Sequence, residues 1–239
     1  SHRGFGKHGP IAENTLPAFL ASEKLGFTMH EFDVRRTIDN EVMLLHGPRL
    51  EVTSDGKGRM EEHTLSTIKT FDAGFYTKKN IKPKKYKPTP FATLREVLTK
   101  LPKKTKFNIE IKRDRWDFSK GVEDLTVRVV TYEGVESRVC FSGFHFLTLW
   151  HLRRFRTKVP IGLLIEKSPF ALLKLHLYRF LLLPDNIHLD YKLATPKLMA
   201  SLKRRGYGLA FWTVNDAAIV NDLFAHGADV VITDNMELV

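Results

Sequence analysis

The sequence holds a single cysteine, Cys140, in 239 residues. That excludes an intrachain disulfide and a cysteine-rich zinc site, and it suits a reducing compartment. No run of about 18 apolar residues occurs, so no transmembrane helix is expected. No signal-peptide pattern is visible, no internal repeat, and no low-complexity tail. Neither a glycine-rich dinucleotide fingerprint nor a P-loop follows any apolar strand candidate, which argues against the nucleotide-binding sheets. The chain opens at Ser1 without a methionine and almost inside a motif, which predicts that a segment N-terminal to it has been removed.

Acid is in short supply too. There are 38 Lys+Arg against 27 Asp+Glu, a net charge of +11. Such an excess favours anionic partners: phosphate esters, acidic membrane surfaces or nucleic acid. Much of it lies in Lys78, Lys79, Lys82, Lys84, Lys85 and Lys87, interleaved with Pro83, Pro88 and Pro90. This stretch reads as a solvated basic loop, with docking to an anionic membrane surface as the functional alternative. Nucleic acid ranks last among the partners because no aromatic–basic recognition motif accompanies the charge. The expected location is cytoplasmic or peripheral at a membrane.

What is present is an alternation. Short apolar strand candidates at 27–34, 106–112, 137–142, 161–166, 186–190, 208–214 and 229–233 are separated by helical patterns at 118–132, 145–156, 169–182, 195–205 and 217–225, with a further helix at 13–25. Strands separated by one helix each imply parallel pairing with right-handed crossovers. One more strand belongs just before His2. Eight strands in this order make an α/β fold of the (β/α)₈ TIM-barrel type, its first strand truncated at the N-terminus. The alternative is an open doubly wound sheet. The chain is expected to be a single barrel over 1–239, with a small, loop-rich insertion after the second strand at about 41–104 that contains a short strand at 42–46.

In such a barrel, polar residues at the C-terminal ends of strands face the active site. Glu31 and Asp33 close the second barrel strand two residues apart, so both side chains share a face. Glu110 and Lys112 do the same at the third. Asp190 and Lys192 follow the sixth, Trp212 and Asn215 the seventh, and Asp234 the eighth. Three acids converging from adjacent strands make a hard-cation site, suited to Mg²⁺ or Ca²⁺. Any one of them alone would read as a salt bridge or a cap. His2 beside Arg3 at the barrel mouth suits an acid/base group and a phosphate clamp. Glu13-Asn14-Thr15 opens the first helix and in isolation is a polar N-cap region; His46, after an apolar strand, in isolation is a packing residue.

Together these pieces resemble the glycerophosphodiester phosphodiesterase family. Its motifs stand here as His2-Arg3-Gly4, Glu13-Asn14-Thr15 with Ala18-Phe19, Glu31-Phe32-Asp33-Val34 with Thr37 and Asp39, His46, and Glu110-Ile111-Lys112. Further matches are Thr53-Ser54 with Gly56, Asp72-Ala73-Gly74, Ser142 with Phe144, Trp212-Thr213-Val214-Asn215, and Gly227 with Asp229 and Thr233-Asp234. The resemblance spans essentially the whole chain in order. It implies hydrolysis of glycerophosphodiesters to an alcohol and glycerol phosphate. By motif, Glu31, Asp33 and Glu110 would bind one divalent cation, and His2 and His46 would be the acid–base pair. Arg3 and Glu13 would hold and orient the phosphate, Lys112 would add positive charge near it, and Trp212 would wall the glycerol.

The sequence departs from the family pattern after His46, where an Asp is usual and Gly47-Pro48 stands. Losing that carboxylate is expected to alter the orientation or pKa of His46 rather than the reaction class. A second reading, a catalytically weak phosphoester- or lipid-binding barrel, rests on Gly47, and the retained histidines and acids weigh against it. The segment from Pro169 to Pro184 is unusually apolar. It reads as a barrel helix packed on the sheet or a partner contact. The alternative is a membrane-contacting helix, which would favour lysophospholipase D activity on lipid substrates.

Overall fold

Apolar and β-branched residues at short, evenly spaced intervals build one eight-stranded sheet. The computed structural model describes residues 1–6, 9–76, 87–113, 121–155 and 157–238. Its strands are β1 (Met29–Arg36), β2 (Val42–Leu44), β3 (Lys106–Ile111), β4 (Val139–Gly143), β5 (Ile161–Ile165), β6 (Asn186–Asp190), β7 (Gly208–Trp212) and β8 (Val230–Val231). They follow the order β2-β1-β3-β4-β5-β6-β7-β8. From β1 and β3 to β7 and β8 the pairings are parallel; β2 alone runs antiparallel, with Leu44 opposite Val34.

The two ends of the curled sheet meet at Ser1–Arg3. His2 N–H donates to Thr233 O at 2.9 Å on the β8 side, while Glu31 N–H donates to Ser1 O at 2.9 Å and Arg3 N–H to Glu31 O at 2.8 Å on the β1 side. Ser1 and His2 therefore take the place of the expected first strand. The α/β barrel closes around the N-terminal residues, and the doubly wound alternative is excluded.

Around the sheet lie α1 (Leu16–Lys24), α2 (Leu65–Ile68), α3 (Leu94–Lys100), α4 (Val122–Tyr132), α5 (Phe146–Arg154), α6 (Ala171–Leu182), α7 (Pro196–Lys203) and α8 (Ala217–Ala225). Their starts follow capping chemistry: Thr15, Thr195 and Asp216 side chains accept from the first-turn N–H groups of α1, α7 and α8. Helix α1 packs on the sheet through aromatic rings, Phe19 edge-on to Phe32 at 5.5 Å and Phe32 to Phe107 at 6.0 Å, all fully buried. Truncating one such ring to Ala costs about 3–5 kcal/mol.

Within 41–104, where loops and one short strand are expected, the structure adds the single-turn α2 and the longer helix α3. Its signature is a capping box: Thr93 Oγ1 accepts from Glu96 N–H at 3.1 Å and Glu96 Oε2 accepts from Thr93 N–H at 2.9 Å. The stretch before it has a small core of its own, with Met43, Leu45, Leu50, Met60 and Ile68 buried together. The basic residues Lys78, Lys79, Lys82, Lys84 and Lys85 lie outside the described residues, as does the expected start of α4 at 118–120.

Helix α6 is only partly a packed barrel helix. Ala171, Leu175 and Leu182 are buried, and much of its remaining apolar surface is exposed. It ends at Leu183 in the left-handed conformation, with Pro184 next.

Candidate active site

Alternation along β1 sends Phe32 and Val34 into the layer beneath the helices and Glu31 and Asp33 to the barrel interior. The parallel register sets Glu110 of β3 opposite Asp33. One oxygen from each of Glu31, Asp33 and Glu110 lies within 4.8 Å of the others, and all three residues are buried.

Two cations tie this cluster together. Lys112 Nζ reaches Asp33 Oδ1 at 3.0 Å and Glu110 Oε1 at 2.5 Å. Arg3 Nε lies 3.1 Å from Asp33 Oδ2, and its Nη1 lies 3.3 Å from Glu13 Oε1. Asn14 Nδ2 donates to Asp33 Oδ2 at 3.0 Å. Because Thr15 is the cap of α1, Glu13 and Asn14 are free to serve the site. Arg3 and Asn14 both hold positive φ, 52° and 55°. The turn between them needs Gly4: its φ is 88°, and a Cβ there would sit 2.5 Å from the Ala18 Cβ.

The charges do not balance. Four carboxylates, Glu13, Glu31, Asp33 and Glu110, face two permanent cations, Arg3 and Lys112. Burial opposes the charge on Asp33, yet Lys112 and Arg3 hold it far below the usual carboxylate range. Burial and the neighbouring Asp33 and Glu110 push Glu31 well above its ordinary 4.5. Burial, only partly offset by Lys112, pushes Glu110 up to about 7. The Oε2 atom of Glu31 is buried and has no hydrogen-bond partner among the described residues. An all-oxygen donor set short of positive charge fits a divalent cation, which would hold these acids ionised.

The two histidines face the same cleft of about 270 Å³, together with Arg3, Glu31, Glu110, Lys112 and Trp212. His2 Nδ1 is 2.5 Å from Asp234 Oδ1, which leaves Nε2 on the cleft side, 3.6 Å from Glu31 Oε2. His46 follows β2, and Leu45 N–H donating to Asp33 O at 3.1 Å holds that stretch against β1. Burial lowers the His46 pKa to about 4; Asp33 works against this, while Arg3, Lys112 and His2 reinforce it. The Trp212 indole N–H donates to His188 O at 3.3 Å, and Phe144 meets its ring edge-on at 5.4 Å, giving the cleft an apolar side.

Every residue singled out for the site except Glu13 lines this cleft or belongs to its acid cluster, and Glu13 contacts Arg3. Other strand-end residues serve the frame. Asp190 accepts from Lys192 N–H at 3.0 Å and from Lys167 N–H at 3.4 Å, while Asn215 Oδ1 accepts from Asp234 N–H at 2.8 Å and anchors that loop. Sequence reasoning missed Arg35, a buried cation whose Nη2 donates to His46 O at 3.0 Å, and Glu166, which lines the cleft.

The profile of the glycerophosphoryl diester phosphodiesterase family matches residues 2–238. The chain is 29% identical to a glycerophosphodiester phosphodiesterase of Caldanaerobacter subterraneus subsp. tengcongensis, over 99% of this chain and 93% of that protein. It is 25% identical to a glycerophosphodiester phosphodiesterase of Bacillus subtilis, over 100% of this chain and 83% of that one. Among solved structures, an Oleispira antarctica phosphodiesterase in complex with the product sn-glycerol-3-phosphate superposes with a TM-score of 0.81 at 22% identity, covering 100% of this chain and 93% of that chain. A glycerophosphodiester phosphodiesterase structure from Agrobacterium tumefaciens gives 0.80 at 20% identity, covering 99% of this chain and 96% of that chain. The structural likenesses establish the barrel fold.

Proposed function

The chain belongs to the glycerophosphoryl diester phosphodiesterase family of hydrolases, and on that premise we propose that it hydrolyses glycerophosphodiesters to an alcohol and glycerol phosphate, using a divalent cation, Mg²⁺ or Ca²⁺, and a pair of histidines. The observation that carries this reading is the convergence of His2, His46, Arg3 and Lys112 on one cleft beside the cluster of Glu31, Asp33 and Glu110.

Glu31, Asp33 and Glu110 would hold the cation. Bound there, it supplies positive charge against the phosphodiester oxygens and lowers the pKa of the attacking hydroxyl. The remaining chemistry belongs to the chain. Arg3 is braced by Glu13 and Asp33, and Lys112 by Asp33 and Glu110. Both cations are thereby fixed to receive the phosphate with little loss of rotamer freedom.

His46 is held neutral at physiological pH by its burial and the nearby cations, the form that accepts a proton. It takes the proton of the attacking hydroxyl, from water or from the substrate's own glycerol. Doubly protonated, with Nδ1–H donated to the Asp234 carboxylate, His2 gives its Nε2 proton to the leaving alcohol. One P–O bond forms as the other breaks, and the displaced alcohol leaves with the proton; attack by water gives glycerol phosphate directly, whereas attack by the glycerol hydroxyl gives a cyclic phosphate that a water opens in a second step. The ring of Trp212 would pack against the glycerol carbons.

Release of choline from glycerophosphocholine, measured with Mg²⁺, with Ca²⁺ and with chelator, tests this. Cation-dependent release is expected. A panel of glycerophosphodiesters left uncut under all three conditions would make the barrel a phosphoester-binding protein instead.

A further inference from the structure

Helix α6 carries apolar side chains on the side away from the barrel as well as on the side toward it. Ala171, Leu175 and Leu182 face inward, while Phe170, Leu173, Leu177 and Phe180 are 71%, 67%, 50% and 76% exposed. Steps of three and four residues place these four on one line along the helix. Leu181, also exposed, widens it. Single exposed leucines are ordinary, but a contiguous apolar stripe of this kind marks a contact surface.

The charges beside the stripe point to its occupant. From Lys167 to Pro184 there is no Asp or Glu, and the charged residues are Lys167, Lys174 and Arg179. By helical rotation Lys174 stands on one flank of the stripe, and His176 and Arg179 on the other. Lys174 Nζ lies 5.4 Å from the centre of the Tyr178 ring, on the side nearer the barrel. A second copy docking stripe to stripe would set these cations against their own kind; no acid lies within the segment, and Glu166, just before it, acts on Lys174. An anionic lipid surface meets both requirements at once, taking the apolar line into the acyl boundary and the flanking cations among the phosphates. The helix, 12 residues long, is too short to cross a bilayer and suits lying in its surface. It begins five residues after Glu166, which lines the cleft, so its N-terminal end lies toward the face of the barrel on which the cleft opens.

We propose that α6 docks the protein on anionic lipid surfaces and presents the cleft to glycerophosphodiesters that carry an acyl chain, namely lysophospholipids. The substrate half of this rests on the phosphodiesterase reading; the docking half does not.

Co-sedimentation of the full chain with phosphatidylcholine vesicles, with and without phosphatidylglycerol, tests the docking. Two variants accompany it, Leu173→Glu/Phe180→Glu and Lys174→Gln/Arg179→Gln, each checked for an unchanged Tm. The wild type should pellet with the anionic vesicles and be released by high salt. The first variant should bind roughly tenfold more weakly or worse, and the second should lose the preference for anionic over neutral vesicles. Both should hydrolyse soluble glycerophosphocholine at the wild-type rate and lose rate only on lysophosphatidylcholine held in vesicles. The proposal is overturned if the wild type ignores anionic vesicles, if both variants bind like it, or if sedimentation analysis finds a wild-type dimer that the first variant dissociates. Vesicle binding by a protein that cuts neither substrate would uphold docking and remove the catalytic reading alone.

Discussion

The imidazole Nδ1 of His2 and the carboxylate of Asp234 lie 2.5 Å apart across the seam where the barrel closes, joined from opposite ends of the chain. An ionised carboxylate only accepts, so the bond requires the proton on Nδ1 and frees Nε2 for the cleft. Asp234→Asn keeps the shape but removes the negative charge that supports the doubly protonated ring, and it offers a donor as well as an acceptor. We expect kcat on glycerophosphocholine to fall by roughly 10²–10⁴-fold, the usual worth of a positioned acid or base, with Tm little changed. Unaltered turnover would show that the orientation of His2 is set elsewhere.

The acid cluster makes a prediction about pH in the cation-free protein. Glu110 is raised from an ordinary 4.5 to about 7 by burial. The folded chain thus binds more protons than the unfolded chain in that window, and stability contributed by this site falls as pH rises through it. Relative to Glu110→Gln, the chelated wild type should therefore lose Tm steadily between about pH 4.5 and about pH 7. Added Mg²⁺ or Ca²⁺ should restore it and should do nothing for the variant. Parallel Tm curves with no pH trend between the two proteins would mean that Glu110 is not held protonated.

Leu183 ends α6 with φ at 47°, in the left-handed region that a side chain with a Cβ enters at a cost of about 1–2 kcal/mol. Its side chain is exposed, so little packing is lost on replacement. Leu183→Gly should raise the unfolding free energy by up to about 1 kcal/mol, less what glycine costs in the unfolded chain. Denaturant melts with an unchanged slope would register the gain as a higher midpoint.

Much of this was legible in the sequence because it is local. The E-x-D and E-x-K spacings on apolar strands place Glu31, Asp33, Glu110 and Lys112 inside the barrel from the period of a strand alone. Contacts made by distant parts of the chain left no such trace. Asp234 meets His2 only because the barrel closes, and Arg35 reaches the His46 carbonyl only because β2 folds back antiparallel on β1. Glu13-Asn14 read as capping residues because E-N-T before a helix is capping chemistry; that Thr15 alone does the capping emerges from the turn at Arg3 and Gly4. Helix α6 was ambiguous for a different reason: with apolar residues on nearly every side, its periodicity does not say which face packs. Helix α3 did carry a signal, Thr93 and Glu96 at capping-box spacing, but its seven residues are too few to display a helical apolar period.

Gly47 stands where the family usually carries an Asp, and the structure leaves room for one. A Cβ there would meet Val52 Cγ2 at 3.5 Å and Arg49 O at 3.7 Å, ordinary van der Waals distances, and the backbone is outside the left-handed region. Gly47→Asp should therefore fold with a stability change within about 0.5 kcal/mol. Its effect should appear in the pH dependence of turnover. Burial lowers His46 to about 4, and Asp33 counters this only in part. A new carboxylate beside the ring favours the imidazolium and raises that value. If His46 is the proton acceptor, the acid limb of kcat/KM then moves to higher pH in the variant, because the free enzyme must lose that proton to act. An acid limb that stays in place while the protein folds normally would take His46 out of the accepting role, and the alkaline limb would show whether it donates instead.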